Sequence, residues 1–76
     1  MKKRLSVLDS EGIGIRIQKL IIENGYTVKE VADAIFVNRQ AVYKWLTVPE
    51  ATPSLQHIYD LSELFGVSID YIIKGK

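Results

Sequence analysis

Seventy-six residues, 47% of them hydrophobic and with a formal net charge of +1, make one domain with no room for a second core. The absence of cysteine excludes a disulfide framework and a thiolate metal site, and His57, the single histidine, leaves almost nothing from which to build a zinc site or a histidine relay. Apolar runs such as Leu20-Ile21-Ile22 fall far short of a membrane span, and neither proline nor glycine is enriched as in a disordered chain.

Residues 1–9 form a basic arm with apolar residues at Leu5, Val7 and Leu8. Lys2-Lys3-Arg4 has the charge of a signal-peptide start, but Asp9 and Glu11 interrupt any apolar segment that would follow, so a cytoplasmic chain is expected. The arm reads equally as a disordered tail, as an extension toward nucleic-acid backbone or minor groove, and as a segment that pairs with a second subunit.

The folded domain is expected over residues 10–76. Helix one starts near Ser10–Gly12 and ends at Asn24. Ile13, Ile17, Leu20, Ile21 and Asn24 keep the 3.6-residue period, Gly12 and Gly14 weaken its start, and Gly25 suits the left-handed position just past its end. Thr27 caps helix two, and Glu30 three residues later completes a capping box, with Tyr26 and Val31 at the positions of a hydrophobic staple. Helix two runs from Val28 to Ile35 with Val31, Ala32 and Ile35 inward. Asn38 caps helix three, Arg39 to about Thr47, with Val37 and Val42 as staple and Val42, Trp45 and Leu46 inward. Arg39, Gln40, Tyr43 and Lys44 then point outward together, because residues three or four apart share a helix face.

Thr47 to Pro53, TVPEATP, is a polar connector with two prolines. Ser54 caps helix four, with Leu55, Ile58, Leu61, Leu64 and Phe65 inward, His57 and Tyr59 on the partly exposed side, and Gly66 at its end. Ser68 caps helix five, with Val67 and Ile72 as staple and Asp70 well placed in the first turn. No strand-like alternation of any length occurs, so the chain is predicted to be an all-α, compact bundle of five short helices. A chain this short buries only about 60–65% of its unfolded surface, and modest stability is expected.

The stretch from Thr27 to Leu46 resembles the helix-turn-helix of the Cro/repressor (Xre-like) family of phage and bacterial DNA-binding proteins. Ala32 inside its first helix, Val37 after the turn, and Val42 and Trp45 in the second carry the match. Pro53-Ser54-Leu55 looks like the family's approach to a fourth helix, and Gly66 to Ile73, GVSIDYII, closely resembles its usual ending. The resemblance spans roughly Gly14 to Gly75. It implies a lambda-repressor-like fold and sequence-specific binding of double-stranded DNA by a small transcriptional regulator, a repressor, with helix three in the major groove. By position, Arg39, Gln40, Tyr43 and Lys44 are the implied base readers. Arginine fits guanine O6 and N7 bidentately, and glutamine fits adenine N6 and N7. Thr27, Asn38 and Thr47 are implied at phosphates or in positioning. The implied partners are double-stranded DNA and a second copy of the chain. No catalytic residue, metal, cofactor, small-molecule ligand or membrane partner is expected.

The net charge says little about DNA, because affinity needs positive charge facing phosphate. Its distribution says more. No acid occurs between Asp33 and Glu50, whereas Glu23, Glu30, Asp33, Asp60 and Glu63 lie elsewhere. Three departures from the family pattern stand out. Phe36 stands where the turn commonly has glycine; a positive φ there would cost about 1–2 kcal/mol, so either the turn is rebuilt or Phe36 is buried. Val28 stands where a glutamine often holds phosphate. Ile21 and Leu46 replace a frequent arginine–glutamate pair, and an apolar contact between them is expected to tie helix one to the reading helix. Phe36 and Val28 favour an alternative, a helix-turn-helix-derived protein-interaction module with weak or no DNA binding. An enzyme is the third possibility, without a shielded carboxylate pair, a phosphate loop or a nucleophile–base pair to support it.

Overall fold

The structure, a computed structural model, describes residues 10–75; the basic arm and Lys76 lie outside the described residues. Five helices follow one another among them: α1 (Ser10–Glu23), α2 (Val28–Ala34), α3 (Arg39–Thr47), α4 (Leu55–Phe65) and α5 (Ile69–Lys74). The last four each start on the polar cap that the sequence supplies. Thr27 Oγ1 accepts from the Glu30 N–H at 3.1 Å while the Glu30 carboxylate accepts from the Thr27 N–H at 2.8 Å, a complete capping box. Asn38 Oδ1 accepts from Ala41 N–H at 2.8 Å, and the hydroxyls of Ser54 and Ser68 accept from His57 and Tyr71 at 3.3 and 2.9 Å. Each such cap satisfies a donor that the helix leaves unpaired and stabilises it by about 1 kcal/mol.

The core is the set of periodic apolar residues: Ile13, Ile17, Leu20 and Ile21 from α1, Val31, Ala32 and Ile35 around α2, Val42 and Trp45 from α3, Ile58, Leu61 and Phe65 from α4, and Ile72 from α5. α3 packs against both α1 and α2, and α5 packs against α1 and α4. Arg16 adds a polar tie. Its Nε and Nη2 donate to the carbonyls of Ile72 and Ile73, both at 2.7 Å, and so satisfy the open end of α5 with a charge of the favourable sign.

One inward assignment fails. Leu55 is 71% exposed, because at this first position of α4 the residue that is buried is Pro53 in the preceding connector. α1 ends at Glu23, one residue before the expected Asn24, which keeps the helical period but is exposed, its Nδ2 donating to the Leu20 carbonyl at 2.8 Å. α2 also stops one residue early, with Ile35 as its C-cap at φ −109° and ψ 12°, although the Ile35 side chain stays buried.

Both expectations for Phe36 fail too. The turn keeps its left-handed residue, with Phe36 at φ 61°, and Phe36 is 93% exposed. The hydrogen bonds explain the conformation. Val37 N–H donates to the Ala32 carbonyl at 3.0 Å and Phe36 N–H to Asp33 at 3.4 Å, the same pattern by which Tyr26 and Gly25 close α1 on Ile21 and Ile22. Ile35 and Val37 both pack on the core, so the residue between them is forced outward.

Candidate nucleic-acid interface

α3 has two faces of opposite character. Val42 and Trp45 are buried, and the Trp45 ring lies 5.4 Å from that of His57 at 41°, so the inner face is fixed by α4 as well as by α1 and α2. Arg39, Gln40, Tyr43 and Lys44 are exposed on the outer face, and the side chains of Arg39, Gln40 and Lys44 have no hydrogen-bond or ion-pair partner among the described residues. The structure therefore brings the four sequence-predicted base readers together on one face. Arginine and lysine supply charge, glutamine a paired donor and acceptor, and tyrosine a hydroxyl beside an apolar ring.

The three residues implied at phosphates are spread around this face. Thr27 and Asn38 stand at the starts of α2 and α3, where each accepts a backbone N–H. The Thr27 hydroxyl proton and the Asn38 amide NH2 have no partner among the described residues and are open to a phosphate oxygen. Thr47 stands at the other end of α3, about 13 Å along the helix from Asn38. Its hydroxyl donates to the Tyr43 carbonyl at 2.8 Å, so that proton must be released before Thr47 can donate elsewhere. Val28 is half-buried and packs on the core, which gives the first turn of α2 no polar side chain at the family's phosphate position.

What fixes the tilt of α3 was not visible in the pattern. Gly14 is buried inside α1, and a Cβ built on it would lie 2.3 Å from the Trp45 carbonyl oxygen and 3.7 Å from the Leu46 Cα. No other residue allows the two helices to approach this closely. The sequence shows Gly14 only as a weak point in a helix; that it faces the backbone of the reading helix emerges only when both elements are in place. Ile21 is 5% exposed, and Leu46 is half-buried against the core.

Similarity to other proteins agrees with this geometry. A helix-turn-helix family model matches residues 17–72. The SPbeta prophage-derived HTH-type transcriptional regulator YonR of Bacillus subtilis (strain 168) is 34% identical over 62 residues, 82% of this chain and 56% of the relative, so the chain spans little more than half the length of that relative. The N-terminal DNA-binding domain of SinR from Bacillus subtilis superposes with a TM-score of 0.75 at 26% identity, covering 82% of this chain and 90% of that domain. The match over most of its length, on a five-helix fold with the reading helix third, shows that the chain belongs to the Cro/C1-type helix-turn-helix family.

Proposed function

We propose that the chain is the DNA-reading part of a transcriptional regulator, a repressor, that binds a specific duplex sequence with α3 in the major groove. One observation carries this reading: the acid-free outer face of α3 presents Arg39, Gln40, Tyr43 and Lys44 while its inner face is locked into the core. A major groove admits one such helix, and residues in its first turns meet the base edges. Arg39 and Gln40, at the start of the helix, read guanine and adenine edges. Tyr43 and Lys44 follow one turn later, at a thymine methyl, a guanine edge or a phosphate. Thr27 and Asn38 hold phosphates at the two helix starts. A cytoplasmic location goes with this role.

Selection of bound sequences from a random duplex pool tests the proposal and yields the site. On that site, Arg39→Ala is expected to cost about 1–3 kcal/mol and to relax preference at one base pair. Lys44→Ala, if Lys44 meets phosphate, weakens all sequences alike and lowers the salt slope by about 1. Equal and small effects of the two changes would overturn the assignment. Loss of duplex retention without any salt dependence would favour the protein-interaction alternative.

One reading head this small makes few phosphate contacts, so two copies are expected on a symmetric site with half-site centres about 34 Å apart. Tyr71 and Ile73 of α5, both half-buried, are candidates for the contact between copies; Leu5 to Leu8, the other candidate, lies outside the described residues. Sedimentation with a single half-site and with a full site measures the stoichiometry. One protein per full site at saturation would sink the dimer.

A further inference from the structure

We propose that the groove beside Phe36 is a docking site for a partner protein, whose segment presents an apolar anchor next to lysine or arginine. This goes beyond DNA reading and stands on separate residues. The first observation is Phe36 itself. A left-handed turn disfavours a residue with a β-carbon, and Gly25 and Gly66 serve the corresponding turns after α1 and α4 at φ 72° and 68°. Nothing in the free chain uses the ring, which is 93% exposed. A local cost with no local return is the pattern of a residue kept for a contact made elsewhere.

The second observation is what lies beside it. Phe36, Ala34, Ile35 and Leu64 line an open groove of about 330 Å³, and Asp60 and Glu63 of α4 form its charged rim. Neither acid has an ion-pair partner among the described residues, where the pairs are Lys19–Glu23 and Lys29–Asp33; Asp60 accepts only a hydrogen bond from Gln56 at 3.0 Å. These carboxylates repel phosphate, which excludes a nucleic-acid backbone and an anionic lipid surface as occupants. An uncharged apolar segment would leave them unanswered. A basic side chain flanking an apolar anchor answers both features, with the ring and aliphatic floor taking the anchor and the rim taking the charge.

The test is selection of a phage-displayed random peptide library against the whole chain, with Phe36→Gly as counter-target. Phe36→Gly keeps the left-handed turn, so the variant is expected to fold, which its circular dichroism melt checks. Enriched peptides should share an aromatic or aliphatic residue beside lysine or arginine. Synthetic copies should bind on the order of tenfold more weakly to Phe36→Gly and to Asp60→Asn/Glu63→Gln, with affinity falling as salt rises. Both variants should hold their selected duplex as the parent does. Enriched peptides without basic residues, binding indifferent to both variants, or no enrichment over the counter-target would each overturn the proposal. So would concentration-dependent self-association abolished by Phe36→Gly, because the occupant would then be a second copy.

Discussion

Gly14 stands inside α1, where any other common residue except proline favours the helix more, and Phe36 stands in a left-handed turn, where glycine serves best. The two sites flank the same reading helix and separate two demands that glycine ordinarily meets together. At Gly14 the demand is room, since the path of a Cβ is taken by a backbone carbonyl of α3. At Phe36 the demand is a dihedral angle alone, with open solvent beyond. Gly25 and Gly66 match the second case: a Cβ added to either meets nothing within 4 Å. A steric demand cannot be met by another residue without moving a helix, whereas a dihedral demand can be met at a modest cost.

The largest effects should come from the α1–α3 contact on the Gly14 side of this comparison. Ile21→Arg and Leu46→Glu each place a charge in apolar surroundings and are expected to destabilise by about 3–5 kcal/mol, with the double variant recovering a substantial part. A double-mutant cycle by urea denaturation measures the coupling. Additive losses would show that Ile21 and Leu46 do not meet. Next comes Gly14→Ala. Alanine favours an isolated helix by about 1 kcal/mol, yet here its methyl must push α1 and α3 apart at a cost of up to about 3 kcal/mol, for an expected net loss of about 1–2 kcal/mol. A variant as stable as the parent would erase the distinction between the two sites.

The smallest effect is the exchange of turn residues. Phe36→Gly relieves about 1–2 kcal/mol of left-handed strain but gives the unfolded chain more freedom, so a net gain of about 0.5–1 kcal/mol is expected. Gly25→Phe should lose a similar amount. Thermal melting resolves both, because about 1 kcal/mol moves the midpoint of a domain this size by roughly 4–8 °C. A Phe36→Gly variant that melts lower would mean the ring supports the fold itself.

How far each feature could be foreseen follows from the range of its cause. The caps at Thr27, Asn38, Ser54 and Ser68 were legible because donor and acceptor lie within three residues. The outer face of α3 was legible because helix geometry alone brings Arg39, Gln40, Tyr43 and Lys44 together. Leu55 was misread, and helix one was carried one residue too far to Asn24, because periodicity does not say where a helix begins and ends, and at its ends the face it defines has nothing opposite. Phe36 was legible as a conflict, but its exposure depends on Ile35 and Val37 both turning inward. Gly14 and Arg16 could not be read at all, since each acts on an element whose position only the fold supplies.

The bond from Arg16 has a consequence for the order of events during synthesis. Its two acceptors lie 56 and 57 residues downstream, so the contact closes nearly the whole domain into one loop. At ribosomal speeds of about 5–20 residues per second, roughly 3–11 s pass between the polymerisation of Arg16 and that of Ile73. Until then the guanidinium lacks both of its acceptors, and α1, which can already meet α3, lacks its clasp and the packing of α5. The helix-turn-helix can gather its local turns as it emerges. The clasp that joins the first helix to the fifth forms only after nearly every other residue of the domain has been made.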